Sequence, residues 1–384
     1  MHLLPRYQRL RLELERDLAG LPLGAKIMTE QELIRKFKVS RVTARKALEQ
    51  LRKDGTLESV PGRGTFLAKL LARPKASAAG GNFIGLLVPS GQTTKVWEVV
   101  KGAEAAAARR GFQLVISHDH DDPKLQIAQL RKMLDTSVAG ILLFPDRFAS
   151  ERKKFLDLLK ELQERGVPLV LLDRYLAAVD FPCVMTDNVQ GMFELTEHLI
   201  LCGRRRLALV GFWPANTVHV ARRKGFMEAL RAHRLPPKAV LEAEISGDRD
   251  FFKAAHDTVN GWIAGRSAAE LPFDAIVCMF DILAYGAYTA LRAAGFRVPE
   301  DVAIVGYDNL DSEMYRALGL ELTSVQQPLA EEGKTAAKLL LDQIEGKRRP
   351  GRTNHVLLAP KLIVRTSCGS AAGQRLPAGA GAEA

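Results

Sequence analysis

Val39-Ser-Arg-Val-Thr-Ala-Arg-Lys-Ala-Leu48 is the stretch on which the reading of this chain turns. Ser40 is a good helix-capping residue, and Ala44, Ala47, Leu48 and Leu51 then recur at i, i+3, i+4 and i+7, one buried helical stripe. Arg41 and Arg45 lie one turn apart on another face, with Thr43 near the same helix start. Upstream, Thr29-Glu-Gln-Glu32 has capping-box spacing and opens a helix that turns Leu33, Ile34 and Phe37 inward. Downstream, Gly55 ends the second helix. Strand-like residues 57–60 and 65–67 then flank Pro61-Gly-Arg-Gly64, a hairpin with a cation at its tip. Helix, tight turn, second helix and basic-tipped hairpin make a winged helix-turn-helix.

Charge points the same way. The 384 residues carry a net +11, yet residues 1–75 hold 17 Lys and Arg against 8 Asp and Glu, a net +9. The other 309 residues are nearly neutral at +2. A cationic module ahead of a neutral body suits a polyanion partner. A helix fits the major groove of duplex DNA, and an arginine can bond a guanine edge in two places, worth ~1–3 kcal/mol of discrimination. Any one of Arg41, Arg45 or Arg63 could equally be a solvated surface charge; the constellation is what points to DNA.

The remainder is an ordinary globular composition, 47% apolar and 26% charged. No run approaches the ~18 consecutive apolar residues of a membrane span, and the first 16 residues are too charged for a secretory signal, so a cytoplasmic protein is expected. Cys183, Cys202, Cys278 and Cys368 form no C-x-x-C pair, so neither a disulfide framework nor a zinc site is expected, and no cofactor or metal. Residues 73–82, rich in Pro, Gly, Ser and Ala, read as linker. The expected organisation is a winged domain over 1–68, a linker over 69–82, a large domain over 83–366 and a disordered tail over 367–384.

From Phe83-Ile-Gly-Leu-Leu-Val88 onward, short apolar strands alternate with helices. Strands are expected at 83–88, 112–117, 138–144, 168–172, 207–211, 240–245, 275–279 and 302–306, and helices between them. This rhythm predicts α/β architecture with doubly wound parallel sheets. The cycle repeats too often for one sheet and is interrupted near 181–187. Two lobes are therefore expected, one from about 83–185 and 322–346, the other from about 186–318 and 352–366, with a cleft between them.

Open α/β sheets bind ligands beyond the carboxyl ends of their strands. The loops there carry Lys95, Trp97, Asp173, Phe280, Asp281 and Asp308, with Arg222 further along. Rings stack on the apolar faces of sugars while carboxylates and guanidinium groups bond hydroxyls in fixed directions, so the mixture suits a hydroxyl-rich ligand. Singly, Asp173 or Asp308 also fits a helix cap, and Trp97 or Phe280 a core position. His118 and His120 fit a solvated loop better than a metal site. No G-x-S-x-G, H-E-x-x-H or Walker pattern occurs, so nothing positive points to an enzyme.

Tyr7, Leu21-Pro-Leu-Gly24, Thr29-Glu-Gln-Glu-Leu33, Val39–Leu48 and Gly62-Arg-Gly-Thr65 resemble the DNA-binding domain of the GntR family of bacterial regulators over residues 5–68. The resemblance implies operator contacts by Ser40, Arg41, Thr43, Arg45 and Lys46 on the second helix, by Arg63 and Gly64 on the wing, and by Gln31. Ala44 stands where that family usually packs a larger residue. Val167-Pro-Leu-Val-Leu-Leu-Asp-Arg174, Thr186-Asp-Asn188, Ala221-Arg-Arg-Lys-Gly-Phe226, Val305-Gly-Tyr-Asp-Asn309 and Leu322-Thr-Ser-Val-Gln-Gln-Pro328 resemble the effector domain of LacI/GalR-type repressors, itself similar to periplasmic sugar-binding proteins. That likeness implies effector contacts by Asp173, Arg222 and Asp308, with Phe280 at a variable pocket position. Phe280-Asp281 departs from the family's usual Asn-Asp. The combination is similar to arabinose-responsive repressors of the AraR type. It implies a homodimeric regulator, more in keeping with a repressor, binding double-stranded operator DNA under control of a sugar. A purine-responsive regulator on the same scaffold stays open, and a GntR-headed enzyme is the third alternative.

Overall fold

The structure is a computed structural model that describes residues 6–18, 23–61, 63–68, 82–89, 93–119, 122–135, 138–146, 149–236, 240–245, 250–310, 317–348 and 355–370. It divides into two compact units, Met1–Gly81 and Asn82–Ala384.

The first unit holds α1 (Arg6–Leu18), α2 (Glu30–Phe37), α3 (Arg41–Lys53) and a hairpin of β1 (Leu57–Val60) and β2 (Gly64–Leu67). The capping box is formed: Thr29 N donates to Glu32 across 2.7 Å and Glu32 N to the Thr29 hydroxyl across 3.3 Å. The Thr29 amide and hydroxyl, both donating to Glu32 Oε2, hold that carboxylate below its ordinary pKa. Lys38 takes the left-handed conformation (φ 50°) that ends α2 and turns the chain into α3. The expected stripe of Ala44, Ala47, Leu48 and Leu51 is buried, with Leu10, Leu14 and Leu33 packed into the same core. Each such leucine contributes roughly 1.5–3 kcal/mol.

The second unit carries two six-stranded sheets. In the first lobe β3 (Phe83–Val88), β4 (Gln113–His118), β5 (Ile141–Leu143), β6 (Leu169–Leu172), β7 (Cys183–Thr186) and β13 (Val356–Leu358) run parallel in the order β13-β7-β6-β5-β3-β4. α4 (Thr93–Ala108), α5 (Pro123–Asp135) and α6 (Lys153–Glu164) connect its early strands. The second lobe orders β14-β12-β11-β10-β8-β9, from β8 (Leu207–Phe212), β9 (Leu241–Glu244), β10 (Ala275–Cys278), β11 (Ala303–Tyr307), β12 (Thr323–Gln326) and antiparallel β14 (Lys361–Ile363). α7 (Asn188–Leu201), α8 (Thr217–Ala232), α9 (Phe251–Ile263) and α10 (Asp281–Ala293) belong with it, and α11 (Leu329–Ile344) packs on α4 in the first lobe. β5, β6, β7, β10 and β11 are buried along their whole length, which is why they read as unbroken apolar runs.

Three expectations need correction. The interruption near 181–187 is itself a strand: β7 pairs directly with β6 after a loop in which no described residue is helical. The lobe boundaries also differ. Residues 323–326, expected in the first lobe, form β12 of the second, because the chain finishes that sheet beside β11 before Pro328 leads into α11. Residues 356–358, expected in the second lobe, pair with β7 of the first. Finally, order continues past 366: Thr366–Cys368 is a 3-10 turn with Ser367 and Cys368 buried, because Ser367 bonds the backbones of β11 and β12. The expected linker at 69–81 and the tail from 371 lie outside the described residues.

Candidate functional sites

On the first unit, Ser40 caps α3 by accepting from Thr43 N at 3.2 Å, and its hydroxyl lies 2.8 Å from that of Thr43. Both polar groups therefore stand at the amino end of the helix, where amides favour an anion. Arg41 pairs with Glu30 at 3.1 Å and Arg45 with Glu49 at 3.3 Å, yet their side chains are 84% and 70% exposed. Such pairs are worth little in water and yield readily to phosphate. Val42, next to Arg41 on α3, is exposed as well, an apolar side chain suited to a thymine methyl. Gln31 is exposed on α2, as are Arg63 and Gly64 at the hairpin tip. Arg63 N donates to Val60 O at 3.0 Å to close the turn. Gly64 has φ 120°, a conformation that strains any residue with a side chain, and the Lys26 side chain lies against it, so Lys26 joins the wing's cations. Lys46 differs from the rest: its ammonium lies over the Tyr7 ring of α1, 5.3 Å from the centroid.

In the second unit, Asp308 follows β11 and is itself in a left-handed conformation (φ 114°), as are Asn309 (φ 49°) and Asp173 after β6 (φ 66°). Non-glycine residues held this way cost on the order of 1–3 kcal/mol and cluster at ligand sites. The Asp308 side chain is 3% exposed and has three partners. Lys95 of α4 pairs with it from the first lobe. Arg222 of α8 approaches from the second at 3.6 Å, and Gln327 donates to it at 2.7 Å. Arg222 is fixed in turn: Nε donates to Asn188 at 2.8 Å, Nη1 donates to the Met279 carbonyl, and the guanidinium stacks 3.6 Å from the Tyr307 ring centroid. Tyr307 fits only because position 191 on α7 is glycine; a Cβ there would strike its hydroxyl.

Around this charge cluster stands an aromatic wall. Phe280 meets Phe251 edge-on at 5.0 Å and His219 at 6.1 Å, and His219 meets Trp213 at 6.5 Å. Burial, with the Arg222 and Arg174 charges, pushes the His219 pKa down to about 3, so the ring is neutral. Its Nδ1 is a buried atom without a hydrogen-bond partner, as is Nη1 of Arg174. Arg174 otherwise gives Nε and Nη2 to one oxygen of Asp173, at 2.9 and 2.6 Å. Asp173 N donates to buried Glu332 at 2.7 Å, and burial beside Asp173 pushes Glu332 well above the usual carboxyl range. Buried polar atoms normally find partners, and these two are among several buried side-chain atoms without one in the described structure.

Of the residues expected at the effector site, Lys95, Arg222 and Asp308 converge directly, Phe280 lines the aromatic wall and Asp173 stands with Arg174. Asp281 is turned inward: fully buried, it accepts from the Ser324 hydroxyl and Leu310 N, both at 2.7 Å, and bonds no cleft group. Burial, then Asp308, raises its pKa to about 7. Trp97 is 54% exposed on α4 and, two residues on from Lys95, points about 200° around the helix from that lysine. The structure adds Gln327, Asn188, His219 and Arg174 to these residues. Gln327 had a signal in the Gln-Gln-Pro328 run before a helix; His219 had none.

Comparison with known proteins follows this division. Residues 6–67 match the family described as bacterial regulatory proteins, gntR family, and residues 196–368 match the periplasmic binding protein-like domain. An arabinose metabolism transcriptional repressor of Geobacillus stearothermophilus is 30% identical over 95% of this chain and 98% of its own. The HTH-type transcriptional repressor PurR of Yersinia pestis is 30% identical over 74% of this chain and 79% of its own. A solved complex of the transcriptional regulator CelR with cellobiose has 26% identity, covers 93% of this chain and 99% of that one, and superposes with a TM-score of 0.60. A winged cationic head, a two-lobed α/β body and 30% identity along nearly the full length of a repressor lead to one conclusion: the chain belongs to the GntR-headed transcriptional regulators that carry a LacI-type, periplasmic-binding-protein-like effector domain.

Proposed function

We propose that this regulator is a homodimeric repressor whose two winged heads read a palindromic operator and whose cleft binds a small sugar, arabinose being the first candidate. The observation that carries the sugar reading is the Asp308 cluster, where one buried carboxylate meets a cation from each lobe. A vicinal diol can donate to Asp308 while accepting from Lys95 and Arg222, and Phe280 offers a ring face to its carbons. A ligand that replaces these contacts favours the closed arrangement only by its differential affinity for it, typically ~1–3 kcal/mol of coupling. The name of the Geobacillus relative supports arabinose, and that of CelR supports a sugar more broadly.

On the head, Ser40, Arg41, Thr43 and Arg45 contact the major groove, Arg63 and Gly64 the adjacent backbone, and Gln31 a phosphate. Lys46 braces α1 and acts at longer range. Trp97 is assigned to self-association: it is exposed on α4, as is Ile116 of the edge strand β4 on the same side of the sheet, and a second copy can cover them. No described helix is long and apolar enough to cross a membrane. DNA as partner places the work in the cytoplasm, and no catalytic step is needed.

Thermal unfolding of the full chain with arabinose, cellobiose and guanine tests the reading. Arabinose should raise Tm in the natural protein and leave Arg222→Ala unmoved. A rise with guanine alone would favour the purine alternative, and equal shifts in both proteins would discard the cleft.

A further inference from the structure

The edge of the second lobe away from the cleft, at the amino ends of its strands, holds a side-chain cluster that effector binding does not use. His198 and Cys202 lie one helical turn apart at the end of α7 and share a face. The 3-10 turn at Thr366–Cys368 brings the far end of the chain against them. Cys368 Sγ is 3.3 Å and Cys202 Sγ 3.6 Å from His198 Nε2. Ser370 Oγ lies 3.0 Å from Cys368 Sγ and 3.4 Å from the same nitrogen. The three nitrogen and sulfur donors all fall within 4.8 Å of one another. His198 and Cys368 are buried and Cys202 is half-buried, which leaves a way in. Among the described residues His198 Nδ1 has no hydrogen-bond partner, and the ring's polar contacts there are made by Nε2.

We propose that His198, Cys202 and Cys368 bind one zinc ion, with Ser370 or a water as fourth ligand. In a tetrahedral site with Zn–S of about 2.3 Å and Zn–N of about 2.0 Å, the sulfur-to-nitrogen edges are about 3.5 Å. The two edges here, 3.3 and 3.6 Å, bracket that value. Soft thiolates with an imidazole select Zn2+ over the hard cations Mg2+ and Ca2+. Two thiolates also neutralise the dication, so the half-buried site gains no net charge. On binding, each thiol exchanges its S–H bond for an S–Zn bond and releases the proton to solvent, with no change of oxidation state. The site joins the C-terminal segment to α7 and, because Thr323 donates to Cys368 Sγ at 3.3 Å, to β12. No C-x-x-C spacing announces it; His198-x-x-x-Cys202 marks only half of it, and the fold supplies the rest.

Titration of the reduced, chelator-stripped full chain with Co2+ tests this. A thiolate-to-cobalt charge-transfer band and the visible bands of tetrahedral cobalt should grow to about one ion per chain and vanish on adding Zn2+. The spectrum should be lost in Cys202→Ser and Cys368→Ser and weakened in His198→Gln, with far-UV circular dichroism reporting the fold of each. If a serine variant does not fold, His198→Gln carries the comparison. No thiolate spectrum, a spectrum that survives in all three variants, or a Cys202–Cys368 disulfide in protein that takes up no metal would each overturn the assignment.

Discussion

Gln327 donates to the Asp308 carboxylate across 2.7 Å while its own carbonyl accepts from the Thr186 hydroxyl across 2.9 Å. This one side chain links the charged cluster to two of the three places where the chain crosses between lobes: after β7 at Thr186 and after β12 at Gln327 itself. The third, between β13 and β14, lies alongside, since Asp187 N donates to Leu358 O at 2.8 Å. Gln327→Ala is expected to weaken arabinose binding by about 1.5–3 kcal/mol, or roughly 10- to 100-fold, while DNA binding without sugar persists. Calorimetric titration checks this, and an unchanged Kd would separate the crossover segments from the site.

Arg45 projects from α3 with only an exposed pair to Glu49, so removing it leaves the fold intact. Arg45→Ala should cost about 1–3 kcal/mol of operator affinity, and the preference over unrelated duplex should shrink with it. Competition gel shifts measure both. Loss of affinity with selectivity retained would reassign Arg45 to phosphate.

His219 is neutral in the fold, whereas an unfolded histidine takes up a proton near pH 6.5. The unfolded state therefore binds more protons below that pH, and this contribution to stability, full above pH 6.5, is lost as pH falls towards 3. Between pH 6 and 4 the slope is on the order of 1 kcal/mol per pH unit. Urea unfolding of His219→Phe should show a correspondingly flatter dependence; identical slopes would mean that the ring is charged or open to solvent.

Asp281 has the opposite sign. With its pKa raised to about 7, the fold holds a proton that the unfolded chain releases near pH 4, so stability falls as pH climbs between those values. Asp281→Asn, which resembles the protonated acid, should gain on the natural protein by on the order of 1 kcal/mol per pH unit across that window. A constant difference with pH would contradict a buried, protonated acid.

The head was legible nearly to the residue, because capping, helical spacing and a glycine-flanked hairpin are local signals. Ser40, Thr29 and Gly64 act where their chemistry put them. The body was legible as alternating α/β, and its buried strands declared themselves as apolar runs. What could not be read was long-range: which sheet residues 323–326 and 356–358 join depends on crossovers that leave no periodic mark. The same holds at the cleft. Asp308 and Arg222 could be named from their loops and motifs, but Asp281, one residue from Phe280, faces inward because Ser324 and the Leu310 amide hold it there. Trp97, two residues from Lys95, projects from a different face of α4. Cys202 and Cys368 lie 166 positions apart, and only the turn at Thr366–Cys368 joins them.

The most direct measurement is the affinity of the full chain for duplex DNA from upstream of its own gene, followed across salt concentrations with and without saturating arabinose. The account predicts steeply salt-dependent retardation whose Kd shifts at least about fivefold with the sugar, and no such shift in Arg222→Ala. Equal Kd values with and without arabinose in the natural protein, or no retardation of that DNA under either condition, would contradict it.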